Sequence, residues 1–342
     1  MVTLKDIARK AGVSTMTVSN VVNNNLTKVS KENAARIQAL IKEMGYVPNS
    51  SARSLAKNSS KIIALIVRGS NEENALENPH NAILVGTIIQ KIQQHGYFTM
   101  LNIMDSEREI SRNLQTWNAE GAIFLGMFDH EIEAMCSASQ IPMIFVDSYS
   151  TLRQLSNVGI NDYKGGQLAA QYFLQHGHRK LAFVSPRIRN HGVVQHRFSG
   201  FCDELKAHGV ALSKENCFTI ETATDQAAIT ALGEEIASYR KDITGIFVTS
   251  DQIAAFFMQG LRNGGARIPE DYSIIGFDNL TICQQMSPTL TTVSQDLHQK
   301  GRLAVDILFR QIWDPTSPSE SLVLDVDFVE RNSVVSISSS KD

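Results

Sequence analysis

Several apolar runs of this sequence end on a polar side chain that can hydrogen-bond a ligand. PMIFVD ends on Asp147, KLAFVS on Ser185 and YSIIGFD on Asp278, while TGIFVTS ends on Ser250 with Asp251 directly after it. Carboxylates and hydroxyls offer directed hydrogen bonds to a polar small molecule. If these runs are parallel strands, ligands bind beyond their carboxyl ends, so we expect the five residues near a ligand site.

Short signatures of catalysis are missing from the sequence. There is no Walker loop, no G-x-S-x-G elbow, no H-E-x-x-H and no dinucleotide fingerprint. The four cysteines lie far apart without a C-x-x-C, so neither a zinc site nor a disulfide framework is indicated. His176-Gly177-His178 has no further ligand at metal spacing and fits a helix-to-strand turn. We therefore expect no enzyme, no metal and no cofactor.

Charge is distributed unevenly along the 342 residues. Residues 1–61 hold ten basic and three acidic side chains, or +7, and the remainder carries −10. One end of the chain is therefore suited to a polyanion. The composition, 43% hydrophobic and 20% charged, fits a folded multidomain protein, and the length suggests two or three domains. With no apolar membrane-spanning stretch and no apolar leader, the sequence predicts a cytoplasmic protein.

The N-terminal segment has the caps of three short helices. Thr3 and Asp6 form a capping-box pattern before the first helix, which Gly12 ends. Ser14 is placed to cap a second helix and Ser30 a third. Two helices around a glycine-containing turn predict a helix-turn-helix.

The outer face of the second helix carries small polar side chains and one methionine. Helical spacing places Thr15, Met16, Ser19 and Asn20 there, opposite inward-pointing valines. Any small three-helix bundle shows such spacing. On a segment with a net charge of +7, however, this face suits phosphate anchoring and base reading in the major groove. An all-α DNA-binding headpiece is therefore predicted.

From Lys61 onward, short apolar runs alternate with amphipathic segments. Such alternation is typical of parallel α/β layers. The expected strands are 62–67, 97–103, 121–126, 142–147, 180–185, 244–250 and 272–278. The expected helices lie around 81–95, 107–119, 164–176, 195–208, 224–239, 251–263 and 296–313.

Three stretches, LKDIARKAGVSTMTVSNVVNN, VSKENAARIQALIKEMGYVPN and ARSLA, resemble the headpiece of the LacI/GalR family of bacterial transcriptional repressors. The resemblance continues in GHRKLAFVS, RFSGF, TSDQIAA, IIGFDN and PTLTTVSQD and covers nearly the full chain. It implies an α/β sensor like periplasmic sugar-binding proteins, with two Rossmann-like lobes, three chain crossings between them and a ligand in the cleft.

The same resemblance implies a domain organisation. Residues 1–48 would form the helix-turn-helix headpiece, 49–60 a hinge helix or linker, and 61–338 the effector-binding and dimerisation domain. Within that domain, one lobe is expected at about 62–160 and 293–320, and the other at about 161–290 and 322–338.

Several residues acquire a DNA-binding role through the resemblance. It implies base reading by Thr15 and Met16, with Thr17, Ser19 and Asn23 touching the backbone or supporting the docked helix. The family usually has Arg after T-V-S, whereas this chain has Asn20, so we expect a changed base preference at that contact. The full expected set is Thr3, Ser14, Thr15, Met16, Thr17, Ser19, Asn20, Asn23, Ser51, Ala52 and Leu55.

The segment NSSARSLA at 49–56 allows two readings. Alone, it is too short for a stable helix in water and fits a flexible linker. The resemblance implies a second state, in which the hinge helices of two subunits pair over the minor groove and Leu55 wedges into the central base step.

Polar ligand groups are expected to meet a defined set of side chains. The resemblance implies contacts from Asp147, Arg197 and Asp278, with Gln295 near a lobe crossing and Ser250 where the family commonly has Asn. A structural ion pair or strand-end turn is the alternative for each. Because carboxylates and guanidinium groups suit sugar hydroxyls, a sugar or sugar derivative is the expected effector.

Two departures keep the effector class open. The family often has two aromatic residues after Asn-Pro, whereas Asn78-Pro79 is followed here by His80-Asn81. The loop 185–197 is rich in Arg and His, which favours a phosphorylated or acidic effector unless the charges form a solvated face.

These observations predict a homodimeric repressor of carbohydrate or related metabolic genes. It would bind pseudo-palindromic operator DNA, and a small-molecule effector would shift that affinity. The alternative is a small-molecule-binding α/β module or enzyme without a DNA role, which leaves the basic N-terminal segment unexplained.

Overall fold

The computed structural model describes residues 2–47, 59–69, 74–104, 112, 114–138, 140–149, 155–189 and 192–337. The chain divides into two compact units, Met1–Ser60 and Lys61–Asp342. Among the described residues, no helix combines the length and hydropathy that crossing a bilayer requires.

The N-terminal unit contains helices α1 (Leu4–Ala11), α2 (Thr15–Val22) and α3 (Lys31–Glu43). The predicted caps are present: Thr3 and Asp6 form a complete capping box, and Ser14 accepts a hydrogen bond from the Thr17 backbone N–H. Gly12 has φ +64°, which allows the tight turn between α1 and α2. The three helices enclose a buried core made of Ile7, Ala8, Ala11, Val18, Val21, Ala34 and Ile37.

The second unit contains two six-stranded sheets with corresponding strand orders. The first has strand order β2-β1-β3-β4-β5-β11 and is parallel throughout; the second has order β7-β6-β8-β9-β10-β12, with only β12 antiparallel. Their bounds are β1 (Ile62–Arg68), β2 (Phe98–Met104), β3 (Gly121–Leu125), β4 (Met143–Val146), β5 (Ser156–Ile160), β6 (Leu181–Pro186), β7 (Cys217–Ile220), β8 (Gly245–Val248), β9 (Ser273–Asp278), β10 (Thr291–Ser294), β11 (Ser321–Leu324) and β12 (Asp327–Val329).

Helices cover these sheets and bury the apolar strand residues from water. Their bounds are α4 (Pro79–Gln94), α5 (Asp129–Ala138), α6 (Asp162–Gln175), α7 (Val193–Ala207), α8 (Gln226–Tyr239), α9 (Asp251–Asn263), α10 (Ile282–Gln285) and α11 (Leu297–Trp313). The seven expected strands are present within a few residues of their predicted ends, because each is a continuous apolar run. Of the expected helix at 107–119, residues 112 and 114–116 are helical, and residues 107–111 and 113 lie outside the described residues.

The chain passes between the two sheets three times: after β5, after β10 and after β11. Two expected lobe boundaries need correction. Residues 293 and 294 belong to β10 of the second sheet, and residues 322–324 pair with β5 of the first. Residues 322–324 join the first sheet for a packing reason, since Leu322 and Leu324 lie against its apolar core.

Two glycines allow α6 and α7 to pack closely. A Cβ on Gly200 would overlap the carbonyl oxygen of Tyr163, and one on Gly166 would overlap that of Arg197. The close approach places α7, and with it Arg197, against the start of α6.

We expect Gly200→Ala to lower the free energy of unfolding by about 1–3 kcal/mol, because the added methyl group meets backbone atoms that cannot rotate away. Gly86→Ala is the matched control: Gly86 is exposed in α4, with no atom within 4 Å of an added Cβ. It should stabilise the protein by about 0.5–1 kcal/mol. Denaturant unfolding measures both variants, and equal changes would contradict the packing interpretation.

Candidate functional site

The exposed face of α2 is the first candidate site. Thr15 and Met16 are exposed, Met16 with 74% of its surface in solvent, and Asn20 is half-buried. Within the described residues, the Asn20 side chain forms no hydrogen bond. These three side chains are therefore available to a partner of the N-terminal unit.

Other predicted DNA-binding residues support α2 from within. The Ser14 hydroxyl lies 2.9 Å from that of Thr17, and the Asn23 amide donates to the Ser19 backbone oxygen at 2.8 Å. These contacts cap both ends of the helix and match a supporting role. Thr3 is committed to the cap of α1, and Ser51, Ala52 and Leu55 lie outside the described residues.

The second candidate site is a cleft of about 280 Å³ in the body of the protein. In each sheet the strand order reverses beside the first strand, between β1 and β3 and between β6 and β8. Ligands of open α/β sheets bind at such reversals. The carboxyl ends of β1, β3, β6 and β8 all contribute residues to the cleft lining, among them Arg68, Gly126, Pro186 and Ser250.

Four of the five predicted effector residues line this cleft: Asp147, Arg197, Ser250 and Asp278. Gln295 lies directly behind them, buried, and its side-chain amide donates to the Asp278 carboxylate at 2.6 Å. The structure thus brings together side chains that are far apart in the sequence. Ser185 and Asp251, also expected near strand ends, are buried and do not line the cleft.

A buried lysine that the sequence analysis missed connects the two lobes. The Lys300 side chain has no exposed surface, and its ammonium group donates to both Asp147 carboxylate oxygens at 2.7 and 2.8 Å. It also donates to the Gln295 side-chain oxygen at 2.6 Å. A hydrogen-bonded chain therefore runs from Asp147 of the first lobe through Lys300 and Gln295 to Asp278 of the second.

The backbone at both ends of this chain is unusual. Asp147 has φ +53°, Asp278 φ +116° and Asn279 φ +58°. Non-glycine residues adopt positive φ with strain, which persists where surrounding contacts fix the conformation and which clusters at functional sites. The hydrogen bonds that join Asp147 to Asp278 through Lys300 and Gln295 supply such contacts.

Arg197 has a structural partner as well as a place in the cleft. Its Nε donates to Asp162 at 2.7 Å, its Nη1 donates to the Thr249 backbone oxygen at 2.7 Å, and its guanidinium lies 3.5 Å from the Phe277 ring centroid. Burial opposes its charge, yet the neighbouring carboxylates of Asp162 and Asp278 raise the pKa of Arg197. Arg197 therefore forms a structural ion pair with Asp162 and also lines the cleft.

Ser250 and Asp251 organise the start of α9. Ser250 accepts a hydrogen bond from the Ile253 backbone N–H. The buried Asp251 carboxylate accepts from the Leu280 backbone N–H at 2.8 Å and the Thr292 hydroxyl at 2.6 Å. Burial, together with the nearby charge of Asp278, raises the pKa of Asp251 to about 7. Asp251 thus shapes the cleft from behind its lining.

On the first-lobe side, Asn78 caps α4, and His80 and Asn81 line the cleft. His80 Nε2 lies 3.9 Å from Asp147 Oδ2. Among the described residues, no cluster of His, Cys, Asp and Glu could hold a metal ion. The cleft therefore offers directed hydrogen bonds beside apolar side chains such as Leu84 and Phe128.

Comparison with known proteins shows the family of this chain. Residues 3–49 match the model for bacterial regulatory proteins of the lacI family, and residues 170–334 match a periplasmic binding protein-like domain. The ribose operon repressor of Haemophilus influenzae is 30% identical, over 98% of this chain and all of that protein. The transcriptional repressor PurR of Vibrio vulnificus is 29% identical over the same shares.

Solved structures show the same fold. The lac repressor dimer bound to operator and the anti-inducer ONPF has a TM-score of 0.84 at 23% identity, covering 98% of this chain and 99% of that one. A LacI family regulator from Enterococcus faecium with bound ribose has a TM-score of 0.68 at 27% identity, covering 80% of this chain and all of that one. The fold class expected from the sequence is confirmed. This chain belongs to the lacI family of bacterial regulatory proteins.

Proposed function

We propose that this protein is a transcriptional repressor that binds operator DNA through α2 and a small-molecule effector through the cleft. The observation that carries the proposal is the face formed by Thr15, Met16 and Asn20, which the N-terminal unit leaves unused. The unit is basic, and a helix-turn-helix reads base edges with the first residues of its second helix. Full-length similarity to two repressors supports the same function.

A homodimer fits this function, because two headpieces bind a pseudo-palindromic site. The first sheet ends at β2, an edge strand with exposed apolar residues: Phe98 is 63% exposed, Leu101 37% and Ile103 36%. Edge strands with apolar side chains favour association with another chain. We place the contact with a second copy at β2.

The cleft is proposed to bind a sugar or sugar derivative. It combines the carboxylates Asp147 and Asp278 with the Arg197 guanidinium, all of which form directed hydrogen bonds to hydroxyl groups. The Enterococcus faecium regulator of the same fold has bound ribose, which supports this class.

Regulation follows from the position of the effector between the lobes. A ligand that contacts Asp147 of one lobe and Asp278 of the other favours one relative arrangement of the lobes over another. A ligand shifts such an equilibrium only by its difference in affinity for the two arrangements. Gln295 lies at one of the chain crossings and contacts the cleft residue Asp278, so the lobe arrangement is where effector binding is coupled to operator affinity.

A mobility shift of the full chain on a library of palindromic DNA tests the function. We expect selective binding of a subset of palindromes, weakening steeply with salt as counterions are released. The double substitution Thr15→Ala and Met16→Ala should weaken that binding at least tenfold, whereas Gln38→Ala, on an exposed position of α3, should change it little. Absence of any selected sequence at low salt would contradict the DNA role and favour the ligand-binding alternative.

Asn20 should read a base. Asn pairs with adenine N6 and N7, whereas Arg pairs with guanine O6 and N7. We expect Asn20→Arg to move the preferred base from A toward G by about 1–3 kcal/mol. Asn25→Arg adds the same charge in the turn after α2 and should raise affinity without altering the preferred base. Selection on randomised half-sites measures this, and an unchanged preference in Asn20→Arg would show that Asn20 does not read sequence.

A further inference from the structure

The cleft continues at its mouth into a second cavity of about 430 Å³. We call this space the mouth cavity. Arg68, Phe128, Pro186 and Val193 line both spaces, so a ligand can extend from one into the other. The mouth cavity adds Arg187 and Arg189 to the lining, and also Glu221.

Inside the cleft, the carboxylates already have cationic or amide partners. Asp147 is paired with Lys300, and Asp162 with Arg197. Asp278 accepts a hydrogen bond from Gln295. The interior therefore presents oriented hydrogen-bonding groups whose charges are largely balanced, which suits the neutral hydroxyl groups of a sugar.

In the mouth cavity, the cationic side chains are less completely paired. Arg187 and Arg189 are exposed, and within the described residues neither side chain forms an ion pair or a hydrogen bond. The Arg189 guanidinium lies 5.0 Å from the Phe128 ring centroid, and the Arg68 guanidinium lies 4.6 Å from the same ring. Stacking on an aromatic ring orients a guanidinium and leaves its N–H donors free at the edges.

Within the described residues, carboxylates balance only part of the cationic charge of the mouth cavity. Arg68 is paired with Glu131 at 3.0 Å, and Glu221 is the acidic side chain of the mouth lining, against Arg187 and Arg189. The start of α7 adds to this imbalance: Gly192 provides no side-chain cap, and the first turn, within the described residues, has no acidic side chain.

We propose that the effector is a sugar monophosphate, with its hydroxyl groups in the cleft and its phosphate in the mouth cavity against Arg187 and Arg189. This inference rests on the proposed function and specifies its ligand class. Arginine forks match phosphate oxygens geometrically, and Val193 and Val194, the first residues of α7, line the same cavity. The neutral part of the ligand then meets the balanced interior.

Calorimetric titration of the full chain with matched ligand pairs tests this. The pairs are D-ribose with D-ribose 5-phosphate, D-glucose with D-glucose 6-phosphate, and D-fructose with D-fructose 1-phosphate. We expect at least one phosphate to bind ten times more tightly than its parent sugar, with an affinity that falls as salt is raised. D-gluconate provides an anionic sugar without phosphate.

Variants locate the phosphate. Arg187→Gln combined with Arg189→Gln should weaken binding of that phosphate at least tenfold and leave the parent sugar's affinity unchanged. Arg302→Gln removes an exposed arginine from α11 that lines neither cavity and should change neither affinity. Equal losses for the phosphate and its parent sugar in the double variant would overturn the assignment of the mouth cavity.

The remaining outcomes are also decisive. Binding of a parent sugar or of D-gluconate without tighter binding of any phosphate overturns the proposal, as does a lack of binding by all three phosphates. Operator binding is measured separately on the same protein. If it persists, the proposed function stands and only the ligand class has failed; if it is absent, the proposed function has failed.

Discussion

The ion pair between the buried Lys300 and the half-buried Asp147 is the interaction on which the geometry of the cleft depends. Lys300 has no exposed surface, and its three donors are shared between the Asp147 carboxylate and Gln295. Removing one partner of a buried pair leaves an uncompensated charge, at a penalty of about 3–5 kcal/mol. The pair therefore holds Asp147 in its positive-φ conformation and, through Gln295, fixes Asp278.

This arrangement explains how one site can belong to two lobes. Asp147 follows β4 of the first sheet, and Asp278 ends β9 of the second. Gln295 lies where the chain crosses between them, and Lys300 follows on the first turns of α11. A ligand that contacts either carboxylate acts on the same hydrogen-bonded chain. We propose that these hydrogen bonds make the lobe arrangement sensitive to the effector. Arg197, which is paired with Asp162, forms a fixed part of the cleft lining.

Local features were predictable from the sequence, and long-range partners were not. Thr3, Ser14 and Ser30 were identified as caps because each acts on a backbone group within three residues. Lys300 and Asp147 are 153 residues apart, so no local pattern pairs them. One signal was present: Lys300 occupies the buried stripe of an amphipathic helix, among the positions of Leu297, Gly301 and Ala304. Five strands of three to five residues were also not predicted, namely β5, β7, β10, β11 and β12. Among them, β11 is a four-residue edge strand with alternating exposure.

A double-mutant cycle on Lys300 and Asp147 tests the central claim, that these two side chains act as one unit. The free energy of unfolding would be measured for the wild type, Lys300→Met, Asp147→Asn and the double variant. Asp147→Asn should destabilise the protein by about 3–5 kcal/mol, because it leaves the fully buried Lys300 ammonium without its counterion. Lys300→Met should cost less, because the Asp147 side chain keeps 15% of its surface exposed in the cleft. The double variant should be destabilised far less than the sum of the two. Two single effects that simply add would contradict the account.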